Sequence, residues 1–88
     1  MKHFVYLIIS CQKKKFISYV GYTNDIKKRL KLHNSSKGAK FTRGRKWIII
    51  YKKGYNTKSE AMINEYKLKK NSKKRRKIKE FFLKKKKY

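Results

Sequence analysis

The chain has 88 residues, with Lys and Arg totalling 29, Asp and Glu totalling 4, and a formal net charge of +25. That length allows one domain with a small core, and a 39% hydrophobic content gathered into segments excludes a wholly disordered basic tail. Scarce acidic residues leave little to repel a phosphate backbone, so the charge points to a nucleic acid as partner and away from a membrane.

The first residues carry a lysine and then an apolar run from Phe4 to Ser10. The run is too short to cross a membrane and no small-residue cleavage site follows it. Its β-branched and aromatic content predicts a strand, as does that of Phe16 to Gly21, and the polar stretch Cys11 to Lys15 between them predicts a β-hairpin. Cys11 is the single cysteine, which excludes a disulfide framework and fits a reduced, cytoplasmic setting. Gly21 is expected to let the chain turn tightly toward the next element, and Thr23 or Asn24 to cap it. Ile26, Leu30 and His33 recur at i, i+4, i+7, the spacing of a helix face. Asn34 to Gly44 reads as a loop. Trp47 to Tyr51 is apolar without alternation, which predicts a central strand covered on both faces.

Thr57-Lys58-Ser59-Glu60 has the form of a capping box that opens a further helix. On it Ala61, Glu65 and Leu68 share one face, with Met62 and Tyr66 flanking. Glu65 is therefore a carboxylate on a face that should meet the core, and it needs a salt bridge or a bound cation to be tolerated there. Beyond Asn71 the chain is mostly lysine. Ile78, Phe81 and Phe82 are spaced to dock a last helical turn, and the lysine runs around them are expected to stay solvated or seek phosphates. The order β-β-α-β-α-α, with no repeat, predicts an α+β fold: a small three-stranded, mostly antiparallel sheet flanked by helices. Residues 1–70 are expected to form the domain and 71–88 a lysine-rich, partly helical extension.

Four segments in this order resemble the GIY-YIG endonuclease superfamily, in particular its small standalone members. Val5-Tyr6 and Tyr19-Val20-Gly21 look like the two halves of the name motif, with Phe4 where the name has its first glycine. Gly21 to Asn34 resembles the segment that follows, with Arg29 and then His33 one turn on. Lys37-Gly38-Ala39-Lys40-Phe41-Thr42-Arg43-Gly44 resembles the family's loop, and Glu60 to Lys69 its glutamate helix. Any one of these is weak, and all four at compatible spacing are specific.

The resemblance implies hydrolysis of DNA phosphodiester bonds, with Tyr6, Tyr19, Arg29, His33 and Glu65 as catalytic residues. Glu65 would be the single protein ligand of Mg²⁺ or Mn²⁺. Arg29 would grip the scissile phosphate, a task suited to its planar donor fork. His33 would orient a tyrosine or the phosphate. Tyr6 is assigned as the base that activates water and Tyr19 as its partner or a phosphate ligand, with the reverse assignment open. A phenol ordinarily ionises near pH 10, so neighbouring cations are expected to favour the phenolate. Lys37, Lys40, Thr42, Arg43, Arg45 and Lys46 are expected to contact nucleic-acid phosphates without reading bases. The expected substrate is branched, damaged or single-stranded DNA in repair or recombination. The zinc-binding and helix-turn-helix modules that larger members append are absent from these residues, so target specificity of the restriction or homing kind is not expected, and a protein partner for targeting is left open. The alternative function is a non-catalytic DNA- or RNA-binding module on the same fold.

Overall fold

A computed structural model describes residues 2–12, 15–35, 42 and 44–85. Its elements run β1 (His3–Gln12), β2 (Lys15–Thr23), α1 (Ile26–Asn34), β3 (Ile48–Tyr55), α2 (Lys58–Lys70) and α3 (Ser72–Lys85). The fold is α+β, in the expected order. The sheet is antiparallel throughout and ordered β2-β1-β3.

That order corrects one expectation. β1 is the central strand, and β3 lies at an edge. Val5 through Ser10 of β1 are all buried, because both faces of this strand are covered. The apolar run into β3 has a different cause. Leu7 pairs with Tyr51 and Ile8 with Ile49, so Ile50 is the extra residue of a bulge. The bulge turns Ile50 and Tyr51 to the same side, which removes the alternation without making the strand central.

Alternate residues of β1 feed two apolar clusters. Val5 and Leu7 pack with Val20 of β2, Ala61 and Leu68 of α2, and the half-buried Ile78 of α3. Tyr6 and Ile8 pack on the opposite face with Trp47, Tyr19, and Ile26 and Leu30 of α1. Each fully buried side chain of this size contributes about 1.5–3 kcal/mol. Tyr6 is therefore held in a layer formed by β1, β2 and α1.

The hairpin strands extend further than predicted, with Cys11 paired to Phe16 and Gln12 to Lys15. Asp25, not Thr23 or Asn24, caps α1: its carboxylate accepts from the Lys28 amide at 3.1 Å. Thr23 instead receives the Asp25 amide on its hydroxyl oxygen at 3.1 Å, which sets the cap in place. Thr57 caps α2 as the capping box predicts, accepting from the Glu60 amide at 3.1 Å. α3 runs for 14 residues, well past the single docked turn expected. Asn71 caps it by accepting from the Lys74 amide at 3.0 Å. Arg75 ties it back to α2, donating from Nε to the Leu68 carbonyl at 3.1 Å. Among the described residues no helix is long and apolar enough to cross a membrane.

Candidate active site

The β1–β2 register places Gly21 opposite Tyr6 and Tyr19 opposite Ile8. Tyr6 and Tyr19 thus share the sheet face that α1 covers. Gly21 belongs to β2 and makes no turn there. A Cβ at that position would overlap the Tyr6 hydroxyl and ring, so the glycine is needed to leave room for the phenol.

His33, in the last turn of α1, is 0% exposed and joins the two tyrosines. Its Nε2 lies 2.8 Å from the Tyr6 hydroxyl, and its ring meets that of Tyr19 edge-on with centroids 5.3 Å apart. On its far side, Nδ1 lies 2.9 Å from the Thr42 hydroxyl. Thr42 is likewise 0% exposed. Its carbonyl accepts the Trp47 indole N–H at 2.9 Å. Asn34, which follows His33, clamps Trp47 in turn: it accepts from the Trp47 amide at 2.5 Å and donates to its carbonyl at 3.1 Å. A buried polar chain therefore runs from Tyr6 through His33 and Thr42 to Trp47, and the exposed Asn34 holds its outer end.

Arg29, one turn before His33, stands close enough to Tyr6 for its positive charge to act on the phenol. Its Nε is buried with no hydrogen-bond partner among the described residues. Burial nonetheless holds the Tyr6 pKa above its ordinary value near 10. Arg29 pulls it down, and the negative charges of an ionised Tyr19 and of Glu65 push it up. Arg29 acts in the expected direction, and in the free protein desolvation outweighs it, so the neutral phenol is favoured there. His33 is shifted downward, first by burial and then by the Arg29 charge, so its neutral form is favoured.

Glu65 reaches this group from α2. Its side chain is 15% exposed, and Oε2 lies 3.6 Å from Nζ of Lys69 one turn along. It stands close enough to Tyr6 to act on the phenol electrostatically. Among the described residues no three His, Cys, Asp or Glu side chains cluster as a metal site.

Of the residues expected to contact phosphates, Lys37, Lys40 and Arg43 lie outside the described residues. Lys46 is exposed and Arg45 half-buried. Thr42 differs from expectation: its hydroxyl is buried against His33 and offers no donor to the surface. Sequence reasoning missed Asn34 and Trp47 as the supports of this site. The Trp in a basic stretch after the loop was a usable signal, because a buried indole N–H needs an acceptor.

A family model described as "GIY-YIG catalytic domain" matches residues 2–79. A UPF0213 protein of Oceanobacillus iheyensis is 45% identical over 69 residues, covering 77% of this chain and 77% of that protein. A UPF0213 protein of Staphylococcus haemolyticus is 41% identical over 69 residues, covering 77% of this chain and 80% of that protein. Among solved structures, the solution NMR structure of a UPF0213 protein from Bacillus halodurans is 39% identical. It covers 98% of this chain and 86% of that one, with a TM-score of 0.46.

Proposed function

The chain belongs to the GIY-YIG catalytic-domain family, a family of nucleases, and from that premise we propose that it is a metal-dependent endonuclease that hydrolyses DNA phosphodiester bonds. The observation that supports this best is that His33 hydrogen-bonds the Tyr6 hydroxyl while the charges of Arg29 and Glu65 both act on that phenol. These side chains come from β1, α1 and α2, and burial alone gives no reason to bring both charges near one phenol.

Each has a task in hydrolysis. Arg29 binds the scissile phosphate with its guanidinium donors, and takes up charge as the transition state forms. Tyr6 removes the proton of the attacking water, with His33 behind it. Tyr19 packs on His33 and closes the other side of the phosphate site. Glu65 fits a divalent ion. It is a hard oxygen ligand, held only by a lysine that is 51% exposed, and Mg²⁺ or Mn²⁺ is commonly bound by one or two carboxylates together with water and substrate phosphate. Such an ion supplies Lewis-acid stabilisation of the phosphate and the leaving oxygen. The proposed setting is repair or recombination, on branched, damaged or single-stranded DNA, with the basic surface providing sequence-independent affinity.

The Glu65–Lys69 pair favours a second reading, a non-catalytic DNA- or RNA-binding module in which the carboxylate is simply neutralised by its own helix. Cleavage assays separate the two. Purified protein is incubated with duplex, branched, damaged and single-stranded DNA and with RNA, in Mg²⁺ or Mn²⁺, beside Glu65→Ala and Arg29→Ala. Cleavage of DNA lost in both variants supports the nuclease. Equal cleavage by all three proteins overturns it, and salt-sensitive binding with no cleavage of any substrate leaves the binding module.

A further inference from the structure

Hydrogen-bond directions around His33 follow from the groups that meet there. The positive charge of Arg29 acts on Tyr6 and disfavours turning the hydroxyl hydrogen toward the guanidinium, which can only donate. The proton of this buried hydroxyl requires an acceptor, and His33 Nε2, 2.8 Å away, provides one. Nε2 is then unprotonated, and a neutral imidazole must carry its hydrogen on Nδ1. Nδ1 faces the Thr42 hydroxyl oxygen at 2.9 Å.

We propose that Thr42 is a positioning residue, its hydroxyl oxygen accepting from His33 Nδ1–H and holding the ring in the tautomer whose bare Nε2 faces Tyr6. Trp47 and Asn34 hold Thr42 in turn, through the indole bond to its carbonyl and the two-point clamp on the Trp47 backbone.

The consequence for catalysis rests on the nuclease reading. A buried phenol is a poor base if it must first ionise, whereas in this tautomer it need not. As the water gives its proton to the Tyr6 oxygen, the Tyr6 hydroxyl proton passes to His33 Nε2. The resulting hydroxide forms the bond to phosphorus, the bond to the leaving 3′ oxygen breaks, and that oxygen takes a proton from solvent. His33 then returns its proton to Tyr6, which releases one to solvent. In the other tautomer Nε2 already carries a hydrogen and the transfer is blocked.

The test is nitrogen-15 NMR of the His33 ring at neutral pH, in the full chain and in Thr42→Ser and Thr42→Val. Wild type and Thr42→Ser should show a protonated Nδ1 and an unprotonated Nε2. Thr42→Val, which keeps the shape and loses the hydroxyl, should shift population toward the Nε2–H tautomer. In the cleavage assay Thr42→Ser should stay within a few fold of wild type. Thr42→Val should lose about 10-fold to 100-fold in kcat with KM little changed, within the range of general-base contributions. A protonated Nε2 in the wild type overturns the proposal whatever the variants do, as does Thr42→Val with wild-type tautomer and rate. The NMR result needs no cleavage, so a protein that cuts nothing would end the nuclease reading and leave the tautomer decided separately.

Discussion

Gly21 and Tyr6 face each other across the β1–β2 pair, and the space that Gly21 leaves is filled by the phenol. Tyr6 is 2% exposed, packed in its cluster and tied to His33, so its ring has no free direction in which to yield. Gly21→Ala should therefore destabilise the domain by about 1–3 kcal/mol, as other overpacked cores do, and reduce cleavage more than this loss of folded protein explains; urea denaturation beside the cleavage assay measures both. His33 makes a separate prediction. Its folded pKa is depressed, so the unfolded chain binds a proton first as the pH falls. The stability it contributes is present above its unfolded pKa of about 6.5 and is lost as pH falls from there through the lower folded value. Denaturant midpoints at about pH 7.5 and about pH 5 should differ more in the wild type than in His33→Asn. Tyr6, Arg29 and His33 were legible as site residues through the family resemblance, because each taken alone reads as an ordinary strand tyrosine, a solvated arginine and a boundary histidine. The pairing of Thr42 with His33 was not, because the two hydrogen-bond across a loop whose path leaves no periodic signal.

Among the elements, α1 has the most to do for its length: in nine residues His33 meets Tyr6 and Thr42, Asn34 meets Trp47, and Arg29 brings its charge to Tyr6. Its start depends on Asp25, and Asp25→Ala should cost about 1 kcal/mol, read as a lower thermal midpoint, while Asp25→Asn should restore most of it. The existence and order of all six elements could be read from apolar spacing and from the Thr57 capping box. The sheet order could not. An unbroken apolar run has two causes, burial on both faces or a bulge, and β1 has the first while β3 has the second. Gly21 was similarly ambiguous. The apparent loop from Cys11 to Lys15 left the hairpin register open by a residue, and only the register puts this glycine against Tyr6.

At the scale of the whole molecule, a formal charge of +25 should dominate affinity for any polyanion. α3 packs through Ile78 on the cluster of Val5 and Leu7, not on that of Tyr6, and its Lys73, Lys77 and Lys84 are exposed. Replacing all three with glutamine should flatten the log–log dependence of duplex-DNA binding on salt by about 0.9 for each that meets a phosphate. Single-turnover cleavage at saturating protein should be nearly unchanged. The central place of β1 has a further consequence. Its backbone is enclosed by a neighbouring strand on each edge and by side-chain layers above and below, so its amides should exchange with deuterium only when the entire domain opens. Amides of α3, which rests on the rest through a few side chains such as Ile78 and Arg75, should exchange sooner. The outer helix could then peel away as the protein accommodates an irregular polyanion while Tyr6 stays on the last part of the chain to loosen.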